Sequence, residues 1–240
     1  MADLWLFDSL DSKEKEHIQD LFRRPIYDKG QFLFTEGDPA SAVFVVTEGK
    51  VKLFKTSEDG KEIVLGFLSP HSLFGEEILF NDSVRTLSAQ ALERTKLCAC
   101  FKSDFEALVA QNSAISIKVI RMLGDKLNRM AEQLADMAVY DTQNQVARTL
   151  ARLAREHGES TEYGIRLNFR LTHDDLGALV GASRVMVTNV LKSLRSAGVV
   201  LDDKDRRFIV SCQYLSELVD DEEKVPGSTS LACQCFVRKD

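Results

Sequence analysis

The chain has 240 residues, 44% of them hydrophobic and 28% charged, with a formal net charge of −6, a composition that excludes disordered and collagen-like classes and allows one large or two ordinary cores. Five cysteines, an odd number without a regular framework, point to a reducing compartment rather than structural disulfides. With no apolar run of about 18 residues, and an acidic start where a signal peptide would be basic and then apolar, a cytoplasmic protein that does not meet a membrane is expected.

Taken in order, the first predicted element is a short Lys- and Glu-rich helix over 12–22, stapled by Leu10 and ending before Pro25. From Ile26 to Phe101 the pattern changes to short alternating segments separated by Lys29-Gly30, Glu36-Gly37, Glu48-Gly49 and Asp59-Gly60, which predicts an all-β roll or barrel. Asp59-Gly60 is the clearest hairpin turn. On the last strand Cys98 and Cys100 should point to one side and Leu97, Ala99 and Phe101 to the other, with both cysteines buried as small hydrophobes.

Residues 102–111 read as a short helix and 113–138 as a long one. In the long helix Ile120, Leu123, Leu127, Met130, Leu134 and Met137 recur at intervals of 3, 4, 3, 4 and 3. That heptad pattern describes either a dimer seam or an amphipathic helix lying on its own domain. Asp141-Thr142 interrupts it and begins a helix over 143–156, with Val146, Leu150, Leu153 and Ala154 on one face. A small strand is expected over 165–169.

The stretch 172–200 predicts two helices joined by a glycine turn. Thr172 with Asp175 makes a carboxylate variant of the capping box, Leu176, Leu179 and Val180 face inward, and Gly181 permits the turn. Ser183 caps the second helix, whose Val187, Val190, Leu191 and Leu194 turn inward and leave Arg184, Val185, Thr188, Asn189 and Lys192 for an outer face. A hairpin in a core would read the same way, but strands at 199–201 and 208–210 follow directly around a polar turn. Helix, turn, helix and hairpin together describe a winged helix-turn-helix. From Asp141 to Cys212 there are 11 Lys and Arg against 9 Asp and Glu, so the basic balance sits with this motif in an acidic chain. A last helix is expected over 214–223, then a breaker and a tail holding Cys233 and Cys235.

The sequence Phe74-Gly75-Glu76-Glu77-Ile78-Leu79-Phe80 followed by Arg85-Thr86-Leu87-Ser88-Ala89, with the helix-turn-helix, resembles the CRP/FNR family of bacterial transcription regulators from about Leu6 to Leu215. The resemblance implies an α+β fold: an N-terminal cyclic-nucleotide-binding-type β-roll (1–112), a dimerisation helix (113–140), a winged helix-turn-helix (141–215) and a tail (216–240). It implies a homodimer on palindromic double-stranded DNA, with RNA polymerase as partner and Asp141 as hinge. In members that bind cyclic nucleotides, residues at the positions of Gly75 and Glu76 hold the ribose, and those of Arg85 and Thr86 the phosphate. The helix positions that face the base are Met130 and Ala131 here, and neither is a strong hydrogen-bonding partner.

In the reading helix, family members present an arginine, a glutamate and a second arginine. Here Arg184 keeps the first, with Val185 and Asn189 in the other places, which implies a different DNA site. Some relatives hold an iron–sulfur cluster through C-terminal cysteines and an aspartate at the end of the dimer helix. Asp136, Cys212, Cys233 and Cys235 are the candidates for such a cluster, with an unstructured tail as the alternative. No catalytic constellation is present, so an enzyme is not expected. The rival function is a cyclic-nucleotide-binding adaptor or regulatory subunit, which would not need a wing.

Overall fold

The short apolar segments become strands that bury one face or, in the two that run between the cores, both. They are β1 (Phe22–Arg23), β2 (Ile26–Tyr27), β3 (Phe32–Phe34), β4 (Ala42–Glu48), β5 (Val51–Thr56), β6 (Glu62–Leu68), β7 (Leu73–Phe74), β8 (Ser88–Ala91) and β9 (Thr95–Phe101). In the computed structural model, which describes residues 5–8, 18–79 and 84–222, they pair antiparallel in two sheets. One runs β1-β9-β4-β7 with β2 also on β9, the other β3-β8-β5-β6. The Asp59-Gly60 turn joins β5 to β6 as expected, and is closed by Gly60 N–H donating to Ser57 O at 2.9 Å.

Strand β9 divides the apolar interior of this roll. Leu97 belongs with Phe34, Phe44, Phe74 and Ala89 in a core between the sheets. Cys98 and Cys100 instead join Val43, Val45 and Ile78 in a second core, which α1 (Lys102–Gln111) closes with Phe105 and α2 (Ser113–Val139) closes with Ile115 and Val119. Burial lifts both thiols above their usual range, that of Cys100 to about 12, so neither is a thiolate at neutral pH.

Of the helix expected at 12–22, residues 9–17, including Leu10, lie outside the described residues. Its end is corrected: Phe22 pairs with Cys100 as a strand residue, and its ring meets Phe7 edge-on at 5.5 Å. Strand pairing and burial of a phenyl ring outweigh the local helical composition there.

Contacts divide the chain into two compact units, Met1–Gln133 and Leu134–Asp240. The second contains α3 (Thr142–His157), β10 (Gly158–Thr161), β11 (Gly164–Leu167), α4 (His173–Val180), α5 (Arg184–Ser196), β12 (Val200–Asp202), β13 (Phe208–Ser211) and α6 (Cys212–Glu222). Its sheet runs β10-β11-β13-β12, and Leu150, Leu167, Leu176 and Leu191 are fully buried. Only β11, β12 and β13 were anticipated. Strand β10, reading GEST, has no apolar alternation; it is held by backbone pairing with β11, Gly158 opposite Leu167. Phe169 lies beyond the end of β11, so the strand expected over 165–169 is shorter and starts earlier.

The helix-turn-helix follows its local signals closely. Thr172 and Asp175 form the reciprocal capping box, Gly181 adopts φ +67°, and Ser183 accepts from Met186 N–H. One residue is sterically decisive. Gly177 lies inside α4, and a Cβ built there would stand 2.6 Å from the backbone carbonyl oxygen of Ala182 in the turn. Gly177→Ala should therefore push the turn away from α4 and cost about 1–3 kcal/mol, read as a lower urea midpoint with unchanged slope.

Candidate functional site

Helix α5 presents the residues expected to read bases. Arg184, Val185, Thr188, Asn189 and Lys192 are all exposed, Val185 at 70%, while Val187, Leu191 and Leu194 are buried and Val190 is half-buried. Met186, not anticipated in this role, is exposed beside Val185 and widens the apolar edge of the first turn. Thr172 and Ser183 are exposed caps whose side chains accept backbone N–H groups, so they fix where the two helices begin.

Two α4 residues that sequence reasoning missed reach this face. Asp174 accepts a hydrogen bond from Arg184 Nη1 at 2.6 Å. His173 Nδ1 lies 2.9 Å from Thr188 Oγ1, and that hydroxyl donates to the Arg184 carbonyl at 2.8 Å. With the hydroxyl proton committed to the carbonyl, His173 Nδ1–H is the donor in the first contact. Partial burial and the charges of Arg195 and Arg184 hold the His173 pKa below its ordinary value, against the opposing pull of Asp174 and Asp202. The only sequence hint was a carboxylate in the preceding helix.

Behind α5 the wing is tied down by charge. Arg195 makes a two-toothed pair with Asp202, at 2.5 and 3.0 Å, and Asp203 accepts from the backbone N–H groups of Asp205 and Arg207. Arg207 pairs with Asp205, and Arg166 with Glu159. Lys204 and Arg206 stand exposed at the tip, Arg206 with φ +58°.

In the roll, Gly75, Glu76 and Arg85 come together, and most of their polar atoms are engaged with the protein, although Arg85 Nε is buried without a hydrogen-bond partner. Arg85 is 2% exposed and donates to Glu77 Oε1 at 2.8 Å, to Gly75 O at 3.3 Å and to Ala42 O. Its guanidinium lies 4.2 Å from the Phe34 ring centroid and 5.5 Å from that of Phe44. Gly75, at φ +81°, is where the chain passes this group: a Cβ would stand 2.9 Å from Arg85 Nη1. Glu76 accepts from Lys126 Nζ at 2.6 Å, and the same ammonium donates to Leu73 O at 3.0 Å. Thr86 is exposed. Met130 is exposed one helical turn after Lys126, and that i, i+4 spacing is the signal that points from Met130 to Lys126.

Along α2, Ile120, Leu127, Met130, Leu134 and Met137 are exposed, three of them by about two-thirds. Leu123 departs from the expected row, for it is partly buried against the second roll core. Ile117, not included in that row, is exposed instead. Asp141 caps α3 by accepting from Asn144 N–H at 2.8 Å. Gln145 donates to the Met137 and Tyr140 carbonyls, and Arg148 pairs with Asp136 at 2.9 Å while lying over the Tyr140 ring. Cys212 opens α6 and is half-buried, whereas Cys233 and Cys235 lie outside the described residues. Among the described residues no group of three His, Cys, Asp or Glu is placed to hold a metal, and no helix is long and apolar enough to cross a membrane.

Comparison with known proteins matches residues 25–112 to the cyclic nucleotide-binding domain and residues 144–218 to the Crp-like helix-turn-helix domain. The Cyclic AMP receptor protein of Thermus thermophilus is 34% identical over 195 residues, which cover 81% of this chain and 87% of that protein. The Anaerobic regulatory protein of Bacillus subtilis is 27% identical over 204 residues, 85% of this chain and 86% of that protein. Among solved structures, FixK2 from Bradyrhizobium japonicum has a TM-score of 0.72 at 21% identity, covering 82% of this chain and 96% of that one. A CooA mutant from Carboxydothermus hydrogenoformans has a TM-score of 0.73 at 22% identity, covering 90% and 94%. These two show the fold.

The roll and the reading unit each yield a measurable expectation. Arg85→Met leaves Glu77 and two carbonyls without their donor and should cost ~2–4 kcal/mol in denaturant unfolding. For His173 the folded pKa lies below the unfolded value, so the unfolded chain binds more protons between them. Stability is then full above the ordinary His value of 6.5 and falls as pH drops through it toward the folded value. Urea midpoints measured from about pH 7.5 down to about pH 5.5 should decline, and His173→Gln should flatten that decline.

Proposed function

The chain belongs to the CRP/FNR family and is a DNA-binding transcription regulator of that type; we propose that it works as a homodimer on palindromic double-stranded DNA, switched by a small effector at the roll. The observation that carries the dimer is the exposed apolar row of α2. Ile120, Leu127 and Leu134 recur every seven residues at 66–68% exposure, with Met130 and Met137 beside them. Covering such a row gains roughly 25 cal/mol per Å² removed from water, and a second copy of the same helix has the matching period. A two-fold axis along it duplicates α5 and presents two reading helices to half-sites about 34 Å apart.

In this reading Arg184 pairs with guanine, Val185 touches a thymine methyl and Asn189 pairs with adenine, while Lys192, Lys204 and Arg206 neutralise phosphates. Thr172, Ser183 and Thr188 fix the presentation of the helix. The effector site comprises Gly75, Glu76, Arg85, Thr86 and Met130. A ligand carrying an anion and a hydroxyl exchanges with Glu77 at Arg85 and with Lys126 at Glu76. Because Lys126 belongs to α2, that exchange alters the hold of the roll on the dimer helix, and the shift passes through the Asp141 junction to the reading unit. Regulation then follows from binding, with RNA polymerase as the partner that reads the outcome.

Replacing Leu127 and Leu134 together by Glu should give a monomer by sedimentation and lower affinity for a palindromic duplex by about 10²-fold or more, because the second half-site is no longer tethered. A double variant that remains a dimer would overturn the seam. Wild-type binding should be saturable and weaken steeply with salt in anisotropy titrations.

A further inference from the structure

Arg184 and Asp174 approach to 2.6 Å although their side chains are 68% and 61% exposed. An ion pair so open to water adds little to stability. A carboxylate on a face that meets phosphates also opposes DNA binding in general, by like-charge repulsion. Folding does not explain why it is there, but the contacts around it suggest what it does.

Both ends of Arg184 are held from the first turn of α4. Asp174 takes one Nη1 proton of the guanidinium. His173 bonds the Thr188 hydroxyl, which in turn donates to the Arg184 carbonyl. A guanidinium is a planar fork of five N–H donors, so one donor on a carboxylate leaves others for the O6 and N7 acceptors of a guanine. A long side chain fixed before binding also loses less freedom when it meets the base.

We propose that Asp174 is a positioning residue for base readout: its carboxylate holds the Arg184 fork in the plane that selects one base pair, raising specificity while lowering affinity for DNA as a whole. His173 and Thr188 support the same residue from the backbone side. The proposal rests on Arg184 being a base-reading residue of α5, and Asp174 is given no contact with DNA.

The test uses the full-length protein and the palindromic duplex it prefers after selection from a randomised pool. Affinities are measured by anisotropy for that duplex, for duplexes altered symmetrically at the base pair read by Arg184 or at another selected pair, and for an unrelated duplex. Wild type should discriminate at the Arg184 pair by roughly tenfold. Asp174→Asn, the isosteric neutral change, should cut that discrimination by roughly three- to tenfold, leave the second pair unaffected and tighten binding to the unrelated duplex. Arg184→Ala should abolish the discrimination, and adding Asp174→Asn to it should change nothing further at that pair.

Full wild-type discrimination in Asp174→Asn, with affinity raised equally on every duplex, would show that Asp174 competes with DNA for Arg184 and would overturn the proposal. If Arg184→Ala itself leaves the preference intact, the assignment of Arg184 to a base has failed, and the role of Asp174 falls with it. Circular dichroism melts of each variant separate these outcomes from unfolding.

Discussion

A buried guanidinium needs partners, and the roll is arranged around that requirement. Arg85 enters the interior between the sheets, where an unpaired cation would be strongly unfavourable. It is made tolerable by Glu77, two backbone carbonyls and the faces of Phe34 and Phe44. These partners come from β3, β4 and the turn after β7, so one cation gathers segments far apart in the chain. The next glutamate in the turn, Glu76, reaches Lys126 on α2 and anchors that turn to the long helix. Anything that competes for Arg85 or Glu76 acts on contacts that hold the roll together.

The reading unit solves a different electrostatic problem. An acidic chain has to offer DNA a surface it will accept, and the second unit does so by pairing much of its charge internally. Arg195 with Asp202, Arg207 with Asp205, Arg166 with Glu159 and Arg148 with Asp136 hold the wing and the α2–α3 junction in shape. Exposed cations of this unit include Arg155, Arg170, Lys192, Lys204 and Arg206, with the Arg184–Asp174 pair at the start of α5.

Helix α2 shows how one periodic pattern serves two ends. Its first turns bury Ile115 and Val119 in the roll and draw Leu123 partly inward. Beyond them Leu127, Met130, Leu134 and Met137 remain exposed. The heptad spacing was legible, but the division between inward and outward residues was not. An apolar position is only a candidate for burial until its neighbours are known.

Signals that act within a few residues settled most of the architecture in advance. The apolar runs of β4, β5 and β9, the Asp59-Gly60 turn, the extents of α1 and α2, the Thr172–Asp175 box and the Ser183 cap all depend on backbone geometry over one turn or one strand. The family resemblance likewise rested on short motifs around Gly75, Arg85 and Gly181. Strand β10 and the strand state of Phe22 were not legible, because each is decided by pairing with a partner elsewhere in the chain. The same holds for the site chemistry. The sequence by itself singled out Arg85, Glu76 and Arg184; only the tertiary structure decided that they face Glu77, Lys126 and Asp174. A charge chooses its partner by distance in space, and chain spacing carries little information about that distance once loops and turns intervene.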